Sequence, residues 1–290
     1  MRFDFINSQK KAFPLTMLCR VMKVSRSGYF SWVKRSPSKY SIASLQLRSV
    51  VSSIQKRYRN SCGSRRMSAE LKQLGIQAGR KKSATLMKSA EAPYIPARKF
   101  RVTTNSKHHF KVSPNILKRD FNVQFPNKVW VSDITYLWTL KGWVYLAVII
   151  DLYNREIVGM AIAKHMKTEL VTDALKIAYR QRKPEQNLVF HSDRGSQYCS
   201  NKFRAMLKCY GMISSMSRKG NCWDNSVAES FFASLKKERT MRTIYKNQIE
   251  VQKDVFDYVY MFYNSNRAHS YLNYKTPMQV SNNQSFKKAA

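Results

Sequence analysis

At residue 129 the hydrophobic period of this chain changes, and few folds accommodate the change. Before it, apolar residues recur every three or four positions. After it, VWVSDITYL, GWVYLAVIIDL and EIVGMAIA follow one another at short spacing. Alternating and β-branched runs of this kind predict strands, and Gly142 and Asn154 mark the turns between them. Helical spacing returns at 168–182, then a strand at 188–193, a helix at 200–210, a strand at 212–217 and a helix at 225–239. Three antiparallel strands followed by alternating helix and strand predict a mixed α/β sheet. A last helix, 248–264, is rich in Tyr and Phe.

The part before 129 is different in kind. Residues 8–35 read as two short helices, with Leu15, Leu18, Val21 and Met22 at helical spacing. Lys23-Val24-Ser25 breaks the pattern, and Ser25 is placed to cap a second helix with Arg26 at its start. This is helix-turn-helix arithmetic, with Arg26 near the start of the candidate recognition helix; helix pairs that never touch DNA share it. An amphipathic helix at 42–58 and two basic stretches, 61–76 and 79–90, suggest a second small helical unit. We therefore expect a basic helical region at 1–92, a linker at 93–127 and a mixed α/β core with a C-terminal helix at 128–285. The adjacent His108-His109 pair has no companion ligands and reads as a solvated loop.

Charge narrows the partner. The chain carries 52 Lys and Arg against 17 Asp and Glu, a net +35. Residues 1–120 hold 27 basic and 4 acidic side chains, and residues 121–290 hold 25 and 13. An excess of this size calls for a polyanion. The front half is the binding region, and the back half has carboxylates to use. The five cysteines, Cys19, Cys62, Cys199, Cys209 and Cys222, form no CxxC pair and no zinc spacing. They read as reduced thiols of a cytoplasmic, nucleoid-associated protein. The N-terminus lacks the apolar core of a signal peptide, and the run WVYLAVII at 143–150 is too short to span a bilayer; no membrane partner is expected.

Three carboxylates stand where chemistry can use them. Asp133 lies in the first strand, Asp193 ends the fourth, and Glu229 lies in the helix DNSVAESFFASLKKE. If the fourth strand pairs alongside the first, the two Asp project together, and Glu229 joins them from a helix packed over that edge. Three crowded carboxylates repel one another unless cations sit among them. Hard oxygen ligands suit Mg²⁺ or Mn²⁺, and two such ions about 3.5–4 Å apart flank a phosphodiester. Each residue also has a plain structural reading. Asp133 could bond Thr135, Asp193 could start a turn with Gly195, and Ser226 to Glu229 fits a capping box. Lys236 lies two turns beyond Glu229 on the same side of the helix, where an ammonium could hold DNA phosphate.

The back half resembles the catalytic core of bacterial insertion-sequence transposases of the retroviral-integrase superfamily, in the family whose second reading frame encodes the enzyme. The resemblance rests on WVSDITYLWTLKGWVYLAVIIDLYNREIVGMAI, FHSDRGSQYCS, SMSRKGNCWDNSVAESFFASLKKE and YNSNRAHSYLNYKTP. Thirty-five residues separate Asp193 from Glu229, the family's interval, and Lys236 follows the glutamate by seven. The resemblance implies a ribonuclease H-like core with Asp133, Asp193 and Glu229 as a metal-binding catalytic triad. It implies two steps: metal-activated water frees a 3′-OH at an element end, and that 3′-OH attacks a second phosphodiester. It also implies that the front half binds terminal inverted repeats, with a partner protein from the upstream reading frame or a frameshift fusion to it, and a homo-oligomer on DNA.

Within that picture Gly195 lets the backbone turn close to Asp193, and Arg194 or Gln197 meets the DNA. His191, on the strand face of Asp193, is a hydrogen-bonding neighbour rather than a general base. Two rival readings stand beside this one. A ribonuclease H-like nuclease would hydrolyse without joining, and a decayed, non-catalytic DNA-binding regulator would be betrayed by a lost triad. All three carboxylates are present.

Overall fold

The five strands form one sheet in the order β3-β2-β1-β4-β5. The computed structural model describes residues 1–36, 39–95, 112–218 and 221–288 of the 290. Helices α1 (Arg2–Gln9), α2 (Leu15–Val21), α3 (Arg26–Lys34), α4 (Lys39–Arg57), α5 (Ser64–Gln73) and α6 (Arg80–Ser89) precede the sheet. Strands β1 (Val129–Thr139), β2 (Gly142–Asp151) and β3 (Ile157–Ala163) form the antiparallel meander. Then come α7 (Thr168–Arg182), β4 (Val189–Ser192), α8 (Ser196–Cys199), α9 (Asn201–Cys209), β5 (Ile213–Met216) and α10 (Ser226–Glu238). β4 pairs parallel to β1, and β5 parallel to β4. The mixed α/β architecture expected from the sequence is the one observed.

Strand alternation sorts the two faces. Trp130 packs with Leu170, Leu175 and Phe203 on the α7 and α9 side, whereas Val131 and Leu137 pack with Phe231 and Leu235 of α10. Position 133 shares the parity of 131 and 137, so Asp133 belongs to the α10 face. On the opposite face α7 approaches β3 so closely that a Cβ on Gly159 would fall 2.5 Å from the Ala174 carbonyl oxygen. Only glycine allows that spacing.

The N-terminal helices form their own small core from Ile6, Leu18, Cys19 and Tyr29. The expected pair is there, and the Ser25 hydroxyl caps α3 by accepting from Gly28 N at 3.0 Å. Helix α1 is the element the sequence reading lacked. It supplies Ile6, and Phe3 stacks on Trp32 at 5.8 Å, covering an aromatic face that two helices would leave wet.

The apolar faces of α4–α6 join the core of the back half: Val51, Ile54, Met67 and Leu71 share a cluster with Val255, Tyr258 and Phe262. The last expected helix, 248–264, divides. Helix α11 (Gln248–Phe256) continues as a π-helical stretch over Asp257–Tyr263. The widened turn places Tyr258, Val259, Phe262 and Tyr263 all in the interior. Helix α12 (Pro277–Lys288) closes the described chain. His108 and His109 lie outside the described residues. Cys19, Cys62, Cys199 and Cys209 are free thiols. Among the described residues no helix is long and apolar enough to cross a membrane.

Beyond the π-helical stretch, His269 is buried with its ring edge-on to Tyr263 at 4.6 Å. Its Nε2 faces Arg267 Nη1 at 3.4 Å, and because a guanidinium only donates, the imidazole accepts there and is neutral. Burial, then the charges of Arg267, Arg66 and Arg155, push its pKa down to about 2. The unfolded chain takes up this proton near pH 6.5 and the native state does not, so acid favours unfolding. Native stability should fall by about 1.4 kcal/mol per pH unit from this group as pH drops below about 6.5. Urea midpoints at pH 7 and pH 5 measure the slope. His269→Gln should flatten it, and an unchanged slope would show that this imidazole does not couple folding to pH.

Candidate active site

Register brings the two aspartates together. Val131 pairs with His191 and Ser132 with Ser192 across the parallel β1–β4 ladder. One step further sets Asp133 beside Asp193. Both carboxylates are held by local backbone: Asp133 Oδ1 accepts from Ile134 N at 2.8 Å, and Asp193 Oδ1 from Gly195 N at 2.9 Å. The turn after β4 is tight, since a Cβ on Gly195 would lie 2.9 Å from Gln197 Oε1 and 3.0 Å from Asp193 Oδ1.

Glu229 arrives from α10. That helix starts at Asn225, whose side-chain amide donates to the Ser132 carbonyl at 3.2 Å. The helix start is thereby tied to the residue before Asp133. Ser226 is the first helical residue rather than the cap, so the capping-box reading of Glu229 does not apply, and Glu229 is exposed in the first turn. Ala228, Phe231, Phe232 and Leu235 bury the helix's other side.

The carboxylates act on one another electrostatically. Burial, then the charge of Asp193 and also that of Glu229, raise the Asp133 carboxyl well above the usual carboxylate range, with Lys236 opposing. Partial burial raises Glu229 as well. Tyr198, behind the strands with its hydroxyl 2.7 Å from Ser132 Oγ, is raised by burial and then by Asp133 and Asp193. A cation among these carboxylates relieves the repulsion that adds to burial in lifting Asp133, and an all-oxygen donor set fits a hard divalent ion. Among the described residues, no three His, Cys, Asp or Glu side chains are drawn close enough to hold a metal ion by themselves.

The other expected site residues have definite places. Lys236 is only 5% exposed, with its Nζ 4.7 Å from the centre of the Tyr136 ring. Burial pushes its pKa down to about 8, against the pull of Asp133. It is buried against Tyr136, where its charge acts on Asp133, rather than out in solvent beside Glu229. His191 is fully buried, its Nδ1 2.9 Å from Ser215 Oγ and its Nε2 3.2 Å from Ser217 Oγ. Burial pushes it down to about 4, so it is a neutral link from β4 to β5 and its following loop. Arg194 Nε donates to the Ser217 carbonyl at 2.7 Å, and Gln197 Nε2 to the Met166 carbonyl at 2.7 Å. Arg26 is exposed at the first position of α3, in the separate N-terminal core.

Sequence reasoning missed Asp224. It is buried and accepts from Arg218 Nε and Nη2, Arg119 Nε and Asn115 Nδ2 at 2.7–3.0 Å. The bonds from Arg218 hold its carboxyl far below the usual range. It thus ties the segment before β1 and the loop after β5 to the residue that precedes the α10 cap. The only signal in the sequence was its place in the WDN triplet before Ser226.

Two integrase core domain families match the chain, one over residues 124–222 and a second over 229–285. The transposase InsF of insertion sequence IS3A from Escherichia coli (strain K12) is 36% identical over 284 residues, covering 97% of this chain and 99% of its own. This chain belongs to the insertion-sequence transposases with an integrase core. An insertion element IS600 31 kDa protein from Shigella sonnei is 44% identical over 262 residues, covering 90% of this chain and 96% of its own. Solved structures similar to this transposase include the HTLV-2 integrase catalytic core with magnesium, at 18% identity and TM-score 0.42 over 53% of this chain and 96% of that one. The Mos1 mariner transposase catalytic domain follows at 12% and 0.40 over 46% and 70%. The core of this transposase is ribonuclease H-like, and the five-stranded sheet with its two parallel pairings is that core.

Proposed function

We propose that this transposase binds the terminal inverted repeats of its element, cleaves DNA there to free a 3′-OH, and joins that end to target DNA. What supports the reading is the β1–β4 pairing that sets Asp133 beside Asp193, with α10 tied to Ser132 so that the charge of Glu229 acts on Asp133. Asp133, Asp193 and Glu229 would hold Mg²⁺ or Mn²⁺, two ions in the full reading, which supply activation of the attacking oxygen and stabilisation of the leaving one. The protein's own contribution is placement. The Ile134 and Gly195 amides fix two carboxylates, and the Asn225–Ser132 bond fixes the helix that carries the third. Lys236 supplies positive charge that acts on Asp133, and Arg194 and Gln197 frame the rim where DNA enters. His191 holds β5 to β4 through two serines.

Recognition of the repeat is assigned to residues 1–92, joined through 93–127 to the core at 128–285. The upstream-frame protein, as a partner or a fusion, and further copies of this chain complete the assembly on DNA. Arg26→Ala should weaken binding to the terminal repeat by about tenfold or more than it weakens binding to random duplex, the effect of losing one good base contact. Equal losses on both would show that Arg26 meets only phosphate.

The deciding experiment is a strand-transfer assay with purified protein, Mg²⁺ and a labelled duplex carrying the flanking repeat. Joined products support transposition. Nicks without joining favour the nuclease reading, and binding without either product favours the regulator.

A further inference from the structure

A cleft of about 1040 Å³ lies between the start of α5, the start of α6, α10 and residues 267–274. Its chemistry is one-sided. Arg65, Arg66, Arg80, Arg155 and Arg267 line it, and among the described residues no acidic side chain does. Arg66 and Arg267 are already committed to Glu238. Arg155 is not so satisfied. It is 6% exposed, its Nη2 donates to the Phe121 carbonyl at 3.0 Å, and its guanidinium lies 3.9 Å from the Tyr271 ring centre. Its buried Nη1 has no hydrogen-bond partner among the described residues. A buried guanidinium donor left unmade is costly, and here it borders an open, acid-free cleft. An anion drawn to the cleft by the exposed Arg65 and Arg80 meets no opposing carboxylate there.

Two further features say which anion. Tyr94 and Tyr271, both about half exposed, stand in the cleft among the arginines. Aromatic faces interleaved with basic side chains are how single strands are held, the bases stacking and the phosphates pairing with charge. The second feature is α10 itself, which lines the cleft with Ser226, Ser230 and Ser234, three hydroxyls that can donate to phosphate.

We propose that this cleft binds a short single-stranded DNA segment, its phosphates on Arg65 and Arg80 with the charge of Arg155 nearby, and its bases against Tyr94 and Tyr271. The proposal rests on the DNA-transposase reading and adds a place for a strand separated from its complement.

The test is binding of a labelled single-stranded oligonucleotide to the full chain by fluorescence anisotropy, in chelator so that no cleavage occurs. Arg65 and Arg80 are exposed at helix starts, so Arg65→Ala with Arg80→Ala leaves the fold standing. The double variant should bind about tenfold more weakly, with a log–log salt slope shallower by about 1.4, the value for two phosphates on a single strand. Arg65→Lys with Arg80→Lys should recover most of the affinity. Unchanged affinity and slope in the alanine double variant would overturn the proposal. So would an equal loss on blunt duplex of the same sequence, or displacement of the oligonucleotide by inorganic phosphate at comparable concentration. The strand-transfer assay is separate: absence of joining with cleft binding intact would remove the transposase reading alone.

Discussion

Asp193→Asn should abolish end cleavage and strand transfer while the protein still binds the terminal repeat. A drop of about 10³-fold or more is the scale for removing one member of an interdependent catalytic set. The substitution is conservative where structure is concerned. Asparagine keeps an Oδ1 to accept from Gly195 N, so the turn after β4 survives. What it removes is one of the negative charges that converge on Asp133. Without metal, the variant should therefore be as stable as the parent or slightly more so, because a repulsion has gone. Denaturation in chelator, joining in Mg²⁺ and repeat binding are three independent readouts. Full joining by the variant would remove Asp193 from the active site. Lost joining with lost repeat binding would point to a damaged fold.

The second large effect is on stability, at the far end of α10. Glu238 is buried and receives Arg267 Nε and Nη2 at 2.8–3.1 Å, Tyr258 OH at 2.9 Å and Arg66 Nη1 at 3.3 Å. Glu238→Ala leaves the equally buried Arg267 charge without its counterion. Breaking a buried pair from one side costs about 3–5 kcal/mol. Replacing both partners with apolar residues of similar size, Glu238→Leu with Arg267→Met, should cost markedly less, because the buried Arg267 charge goes with its partner and the one charge that loses a contact is that of the more exposed Arg66. Urea unfolding of the two variants decides it. A double variant as unstable as Glu238→Ala would mean that the pair contributes more than its charges cancel.

The strands and the α7, α9 and α10 helices were legible because each announces itself locally, by period and by the turns that bound it. The adjacency of Asp133 and Asp193 was legible at one remove: strand order was needed to set two aspartates in adjacent register, and the resemblance provided it. Other features depend on partners remote in sequence. A helical wheel puts Lys236 on the side of Glu229, but the wheel does not show that Tyr136 of β1 covers it. Nothing near Glu238 signals Arg267, and nothing near Asp224 signals Arg119. Helix α12 carries few apolar residues, and the π-helical stretch differs from an α-helix only through the core that receives its aromatic side chains.

Helix α10 is pinned at both ends. Asn225 holds its start to β1, and Glu238 holds its last turn to Arg267. Its thirteen residues span about 20 Å between those points. A beam clamped at each end neither swings nor slides, so Glu229 is a fixed reference in the site. Any change in the spacing between Glu229 and Asp193 then falls to the Asp193–Gln197 turn, which reaches its neighbours through, among others, the bonds of Arg194 and Gln197 to the carbonyls of Ser217 and Met166.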